Sequence, residues 1–470
     1  MPMKRRTKIV CTMGPAVDSR EAVQGLIEAG MNVARINCSH GDWEQRRRWI
    51  AWIRELSPAA SPVAILVDLQ GPKFRIGNLP QPLDLQTGSM VTVGKVDAVI
   101  PVEQDEILNA MEPNARLLLG DGEIELKLGP EIGDNRFEAR VTCGGTLKGR
   151  KGVTLVGKVF DVPALTEKDV ADVHEAAKLG ADFIALSYVK SASDVRELRR
   201  LVDKLDPRIA LCAKIEMRQG IKDLENILKV VDLVMVARGD MGLQMDIEDV
   251  PLMQKQIIDE CTYAGKPVIT ATQMLESMIS LPRPTRAEAT DVANAVLDGT
   301  DALMLSGETA AGQYPFDCVR TMARIAEAAE SQFDRHKIER DFEERARSGV
   351  SHTDAIAHAV SELSLLIKPR AIVTTTTSGQ TPRLVSKFRP KAPILCATWD
   401  ERTHRQLAVI YGVESILVPL PTSTDDVIQN AIDTFFRRKR LKLGDLVIIT
   451  AGVPAGTPGH TNLILTQVVK

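Results

Sequence analysis

Lys214 and Glu216 stand two residues apart at the end of an apolar run, so in a strand they share one face while Ile215 turns away. An ammonium in that position can neutralise charge developing on a phosphoryl group or an enolate. The next apolar run, Leu233–Ala237, is followed by Arg238, Gly239 and Asp240. Two carboxylates, Glu216 and Asp240, suit a Mg2+ ion that keeps waters and takes further oxygens from a substrate phosphate. Arg35 adds a planar fork for phosphate. Within Ala237–Asp240, Gly239 lets the backbone approach a ligand closely, and N–H groups opening a helix could hold a substrate carboxylate. Asn37, Asp68, Ser187, Thr272 and Glu308 occupy similar places, each where an apolar run stops. Taken singly, such residues also read as structural ion pairs or plain turns; their recurrence favours a site.

These groups need a scaffold that brings strand ends together. Lys8–Cys11, Asn32–Ile36 and Ala64–Leu69 read as short buried strands. The helical segments Ser19–Ala29 and Asp42–Leu56, opened by capping residues, lie between them. The rhythm stops after Gly71 and returns after Pro163, where Thr166 and Asp169 form a short capping box. Five more strands are predicted at Phe183–Leu186, Ala210–Ile215, Leu233–Ala237, Val268–Ala271 and Ala302–Leu305. Eight βα units predict a (β/α)8 TIM barrel with its site at the carboxyl ends of the strands; a doubly wound sheet is the alternative. The barrel is expected over 1–71 and 161–335. A small β-rich insertion is expected over 72–160, with short strands such as Met90–Val93, Leu117–Leu119 and Phe137–Val141. The charged stretch Phe333–Arg347 leads to a C-terminal α/β domain over 336–470, with strands near Ala371–Thr374, Ile394–Ala397, Ser415–Val418 and Leu446–Thr450.

Composition narrows the partners. The 470 residues carry a net charge of −3 and only 4% aromatics, which offers neither a basic field nor a stacking platform for nucleic acid. No apolar run fits a signal peptide or a membrane helix, so a cytoplasmic location is expected. Seven scattered cysteines with no C-x-x-C pair argue against disulfides and zinc. The stretch Gly144–Arg150 has the glycine spacing of a phosphate loop but Arg150 in place of its lysine. Of the histidines, only His40, beside Asn37 and Ser39, stands near a strand end. In the last domain, Thr376, Thr377, Ser378, Gly379, Gln380 and Thr381 precede a helical segment, where hydroxyls and N–H groups could cradle phosphate.

The stretches Thr7–Pro15, Gly30–Gly41, Asp68–Arg75, Met235–Gly242, Ile269–Met278 and Asp291–Pro315 resemble the pyruvate kinases over nearly the whole chain. The runs Ala271–Met278 and Leu305–Ala310 are the most specific. The resemblance implies phosphoryl transfer from phosphoenolpyruvate to ADP as the last step of glycolysis, with the insertion acting as a mobile lid. It implies Lys214, Thr272 and Arg35 as catalytic residues. Arg35, Lys214, Gly239, Asp240 and Thr272 would contact phosphoenolpyruvate, and Glu216 and Asp240 would hold Mg2+ or Mn2+. Arg75, His40 and Lys151 would contact the nucleotide. A monovalent cation is held in relatives at the positions of Asn37, Ser39, Asp68 and Leu69. Leu69, Gln70, Lys73 and Ile76 here are similar to the subgroup that works without K+, an ammonium at Lys73 replacing the ion. The 376–381 loop, with the glycine-rich Gly452–Gly459 segment, corresponds to a sugar-phosphate effector site, and a homotetramer is implied. Departures are Cys11, Cys38, Tyr188, and Gly120 in place of the first of two lid aspartates. A barrel lyase or aldolase and a non-catalytic scaffold are the competing readings; ADP-dependent product formation separates the first, and the presence of Lys214, Glu216, Asp240 and Thr272 speaks against the second.

Overall fold

The computed structural model describes residues 5–452 and 461–470, apart from 96, 159, 161, 348, 421 and 422. Eight strands form the barrel: β1 (Lys8–Thr12), β2 (Val33–Asn37), β3 (Ala64–Asp68), β4 (Phe183–Leu186), β5 (Ala210–Ile215), β6 (Leu233–Ala237), β7 (Val268–Ala271) and β8 (Ala302–Leu305). Each pairs in parallel with its neighbours in sequence order, and β8 closes on β1. The closed ring, the β-rich insertion and the C-terminal α/β domain are the expected fold class, and closure excludes the doubly wound alternative.

The two faces of each strand pack differently. Val10, Leu66, Cys212 and Met235 point to the barrel interior, whereas Cys11, Val67, Ala213 and Val236 lie in the layer beneath the helices. Those helices begin where capping chemistry satisfies their first N–H groups. Ser19 caps Arg20–Ala29, Asp42 caps Trp43–Leu56, and Thr166 with Asp169 completes a reciprocal box on Glu167–Lys178.

Between β3 and β4 the chain builds a separate β-rich body with its own core, a six-stranded sheet and a two-stranded ribbon. It leans over the barrel mouth. Phe74 and Phe160, on the two connecting strands, stack edge to face at 4.9 Å. Lys190, just beyond β4, donates to the carbonyls of Phe160 and Val162, gripping the return strand.

The charged stretch forms a helix, Arg335–Ala346, tied by Lys337 to Asp259 and by Arg345 to Glu260 on a barrel helix. Beyond it lies a five-stranded sheet: β9 (Ala371–Thr375), β10 (Ile394–Thr398), β11 (Val413–Leu417), β12 (Leu446–Ala451) and β13 (Leu463–Val468). Its order is β11-β10-β9-β12-β13, with only β13 antiparallel. The third strand starts two residues before the expected Ser415, and β13 was not expected at all. As an outer strand carrying Thr466 and Gln467, it lacks the continuous apolar run by which buried strands are read.

This domain sits at the amino-terminal end of the barrel. Arg405 pairs with Asp182 just before β4 at 2.8 Å, and Arg389 with Asp301 just before β8 at 2.9 Å. Lys8 Nζ reaches the Val413 carbonyl at 2.7 Å. The opposite, carboxyl end of the barrel is left to the insertion and the candidate site.

Candidate active site

Along β1, β2, β3 and β5 the inward-facing residue two positions past the apolar interior is polar: Thr12, Arg35, Asp68 and Lys214. The alternation of a strand places all four in one layer at the carboxyl end. There they form a connected, water-poor cluster. Arg35 Nε donates to Asp68 Oδ2 at 2.7 Å, and its Nη1 to Thr12 Oγ1 at 3.1 Å. Thr12 in turn donates to the Leu305 carbonyl at 2.8 Å, a brace across β1 and β8. The sequence reading ended β1 at Cys11 and missed this threonine.

Lys214 Nζ donates to Ser187 Oγ at 2.7 Å and stands 2.9 Å from Glu216 Oε1 and 3.4 Å from Asp68 Oδ1. Ser187 Oγ in turn donates to the Leu69 carbonyl at 2.7 Å, which leaves its lone pairs for the ammonium. Burial opposes charge on Lys214, yet Asp68, Glu216 and Asp240 outweigh it and raise its pKa, keeping the group cationic. For Asp68, 1% exposed, burial works against ionisation, but Lys214 and Arg35 prevail and hold it below the usual range. Burial pushes Glu216, fully enclosed, up to about 7; Lys214 opposes the rise and Asp240 adds to it.

Two buried oxygens in this cluster, Asp68 Oδ1 and Glu216 Oε1, face the Lys214 ammonium at 3.4 and 2.9 Å and have no other donor among the described residues. A buried carboxylate oxygen with spare capacity fits a cation. Among the described residues no group of three or more His, Cys, Asp or Glu could hold a metal ion. Two carboxylates such as Glu216 and Asp240 would leave an ion to complete its shell with water and substrate oxygens.

Asp240 lies on a short helix, Arg238–Gln244, that starts directly from β6. The Gly239 N–H is engaged by Thr272 Oγ1 at 2.7 Å, while the threonine hydroxyl donates to the Ala271 carbonyl at 2.6 Å. Thr272 and Gln273 both adopt left-handed backbone, with φ of 69° and 52°. Such conformations cost about 1–3 kcal/mol each and persist only where neighbours enforce them. Arg238 does so: its guanidinium donates to the carbonyls of Thr272 at 2.7 Å and Gln273 at 3.1 Å and is anchored by Asp291. Arg238 is thus turned to the β7 loop. Glu308 is likewise a loop clamp, accepting from the backbone N–H groups of Leu275 and Ser306.

At the rim, His40 is exposed, and partial desolvation followed by the charges of Arg75, Lys73 and Arg35 depresses its pKa. Arg75 bridges to Gly152 of the insertion and donates to the Arg150 carbonyl, and the Ile76 N–H binds the Lys151 carbonyl. Arg75 and Lys151 are thereby brought side by side, and His40 lies within reach of the Arg75 charge. Arg46, unremarked in the sequence, donates to the His40 and Gly41 carbonyls and fixes the 38–41 loop.

The monovalent set is adjacent but already engaged. Asn37 Oδ1 accepts from the Ser39 N–H, and the Leu69 carbonyl accepts from Ser187. Among the described residues Lys73 forms no ion pair with Asp68; its stem passes Gly152 and it lines the cleft beside Tyr188.

The C-terminal loop faces the amino-terminal end of the barrel, where Ser378 and Gly379 share a pocket with Phe183, Ala210, Leu233 and Pro267. Gly379, with φ of 79°, donates to Thr376 Oγ1 at 2.9 Å, Thr403 donates to the Thr377 carbonyl, and Thr381 meets Thr461 at 2.8 Å. The chain order turns between β9 and β12, so residues 376–381 sit at a point where open α/β sheets bind ligands. Of the glycine-rich Gly452–Gly459 segment, 453–459 lie outside the described residues.

Comparison with known proteins places the chain in a family. The family profile "Pyruvate kinase, barrel domain" matches residues 4–319, and "Pyruvate kinase, alpha/beta domain" matches 354–466. A pyruvate kinase of Geobacillus stearothermophilus is 45% identical over 100% of this chain and 81% of its own length. One from Staphylococcus saprophyticus is 43% identical over 99% of this chain and 80% of its own, and one from Staphylococcus aureus strain MRSA252 matches with the same identity and coverage.

Proposed function

The chain belongs to the pyruvate kinase family and is a phosphotransferase, and we propose that the Lys214 cluster at the barrel mouth carries its transfer of a phosphoryl group from phosphoenolpyruvate to ADP. The observation that carries this assignment is the buried ammonium of Lys214, raised in pKa and tethered by Ser187, beside carboxylate oxygens with unused capacity.

In this reading Arg35 and Lys214 bind the phosphate of phosphoenolpyruvate, and the Gly239–Asp240 turn meets its carboxylate. Holding both reactants in line supplies much of the rate, since phosphoryl transfer needs positioning and charge stabilisation more than covalent participation. Lys214 stabilises the migrating phosphoryl group and then the enolate left behind. Thr272, held on its strained turn, lies near the carbon that takes up a proton. Arg75, His40 and Lys151 hold the nucleotide in the rim cleft, with the insertion as the lid that excludes water. A divalent ion, Mg2+ or Mn2+, held by Glu216 and Asp240 would neutralise charge on the phosphate and enolate oxygens. Placement in glycolysis follows from the reaction. No helix among the described residues is long and apolar enough to cross a membrane, in keeping with a cytoplasmic enzyme. A homotetramer is part of the reading.

Coupled pyruvate formation tests the assignment: product should require ADP and a divalent ion, and ADP-independent turnover would return the lyase reading. Two further expectations belong to the same assay. Replacing KCl by a bulky ammonium chloride at equal ionic strength should change kcat by no more than about twofold, because Lys73 brings the positive charge. A loss by orders of magnitude without potassium would refute this. Sugar phosphates, bound through residues 376–381, should lower the half-saturating phosphoenolpyruvate concentration; a panel that leaves the saturation curve unmoved would remove the effector site.

A further inference from the structure

We propose that Tyr188 is a positioning residue for the divalent-metal site, linking Glu216 through its backbone N–H to Asp240 through its phenol. The inference rests on the assignment of those two carboxylates to the metal.

Tyr188 follows Ser187 on the turn after β4, so consecutive residues touch Lys214, Glu216 and Asp240. The Tyr188 N–H donates to Glu216 Oε2 at 2.6 Å, which leaves Oε1 as the carboxylate oxygen with spare capacity. The phenol Oη stands 3.4 Å from Asp240 Oδ1. That is long for an O–H···O contact, and a shift of the carboxylate by a few tenths of an ångström would bring it into range.

The backbone pays for this arrangement. Tyr188 has φ of 53°, a left-handed conformation that disfavours a residue with a Cβ. Space for the ring comes from Gly71, where a Cβ would lie 3.1 Å from Tyr188 Cδ2 and 3.0 Å from Ser187 Cβ. The left-handed turn aims the N–H at Glu216 and the ring at Asp240 together.

The two links are separable. Any residue at 188 in this conformation keeps the N–H for Glu216, but only a hydroxyl reaches Asp240. A donor on one carboxylate oxygen restricts its rotation and leaves the other oxygen for the ion, and loss of such outer partners weakens metal affinity by about 10–100-fold. Phenylalanine removes that one group and keeps the ring.

The test is Mn2+ binding to the full chain without substrates, read by the loss of the free-ion electron paramagnetic resonance signal. Tyr188→Phe is expected to bind Mn2+ about tenfold more weakly, with an unchanged melting temperature. Its Mg2+ activation constant should rise by a similar factor, while kcat and the phosphoenolpyruvate KM at saturating Mg2+ stay at wild-type values. Wild type that binds Mn2+ together with a variant of equal affinity overturns the role of Tyr188 alone. Wild type that fails to bind Mn2+ overturns the metal assignment beneath it. A variant whose kcat stays low at saturating metal overturns positioning, since general damage is not restored by excess ion.

Discussion

Replacing Lys214 with methionine should slow phosphoryl transfer by at least about 10^2–10^3-fold while the chain stays folded. Methionine keeps the unbranched stem, one atom shorter, and removes its charge. The rate loss follows because the ammonium faces the position where negative charge accumulates, in a site where water cannot substitute for it. A stability cost accompanies it. Asp68 would retain Arg35 at 2.7 Å, but Glu216 would lose the cation that stands 2.9 Å from it. Removing one partner of a buried pair costs about 3–5 kcal/mol as an upper range, and protonation of Glu216, whose pKa already stands at about 7, limits that cost. Thermal melting should therefore show a modest decrease, and kcat in the coupled assay a far larger one. Full ADP-dependent activity in Lys214→Met would sink the mechanism.

The second large effect is expected from Glu216→Gln. Glutamine occupies nearly the same volume and can still accept from the Tyr188 N–H through its amide oxygen, so the loop geometry should survive. What disappears is the anionic oxygen 2.9 Å from Lys214, replaced by an NH2 donor that the ammonium must turn away from. Divalent affinity should fall below detection in a Mn2+ titration, and activity by about 10^2-fold or more even when Mg2+ is raised. Lys214 keeps Asp68 and Ser187 as partners, so the ammonium should remain charged. A variant that binds Mn2+ normally would move the metal away from this pair. One that loses activity but regains it in excess Mg2+ would show Glu216 as a helper to another ligand set.

Much of this site was legible from local pattern. The two-residue spacing of Lys214 and Glu216, and the polar residue closing one apolar run after another, follow from strand geometry alone. So do the capped helices, because Ser19, Asp42 and Thr166 act on N–H groups within three residues. Other parts were not legible. Thr12 was hidden by a strand boundary set one residue short. Arg238 and Glu308 carry the right chemistry at the right places, yet they brace the Thr272 turn and the loops after β7 and β8. Little local to either residue distinguishes a brace from a ligand, because the deciding partners, Thr272 for Arg238 and Leu275 for Glu308, are more than thirty residues away.

What the sequence determined by itself was the set of elements and the side of each strand on which its chemistry lies, since periodicity and capping act over a few residues. Closure of eight strands then decided which groups meet: Arg35 with Asp68, Lys214 with Ser187, and Tyr188 with both Glu216 and Asp240. It also decided the charge states, because burial works against each ion until a partner from another strand outweighs it. Placement of the C-terminal domain at the opposite end of the barrel rests on Arg405, Arg389 and Lys8 reaching residues far along the chain. Such contacts depend on three-dimensional proximity, which no window of sequence contains.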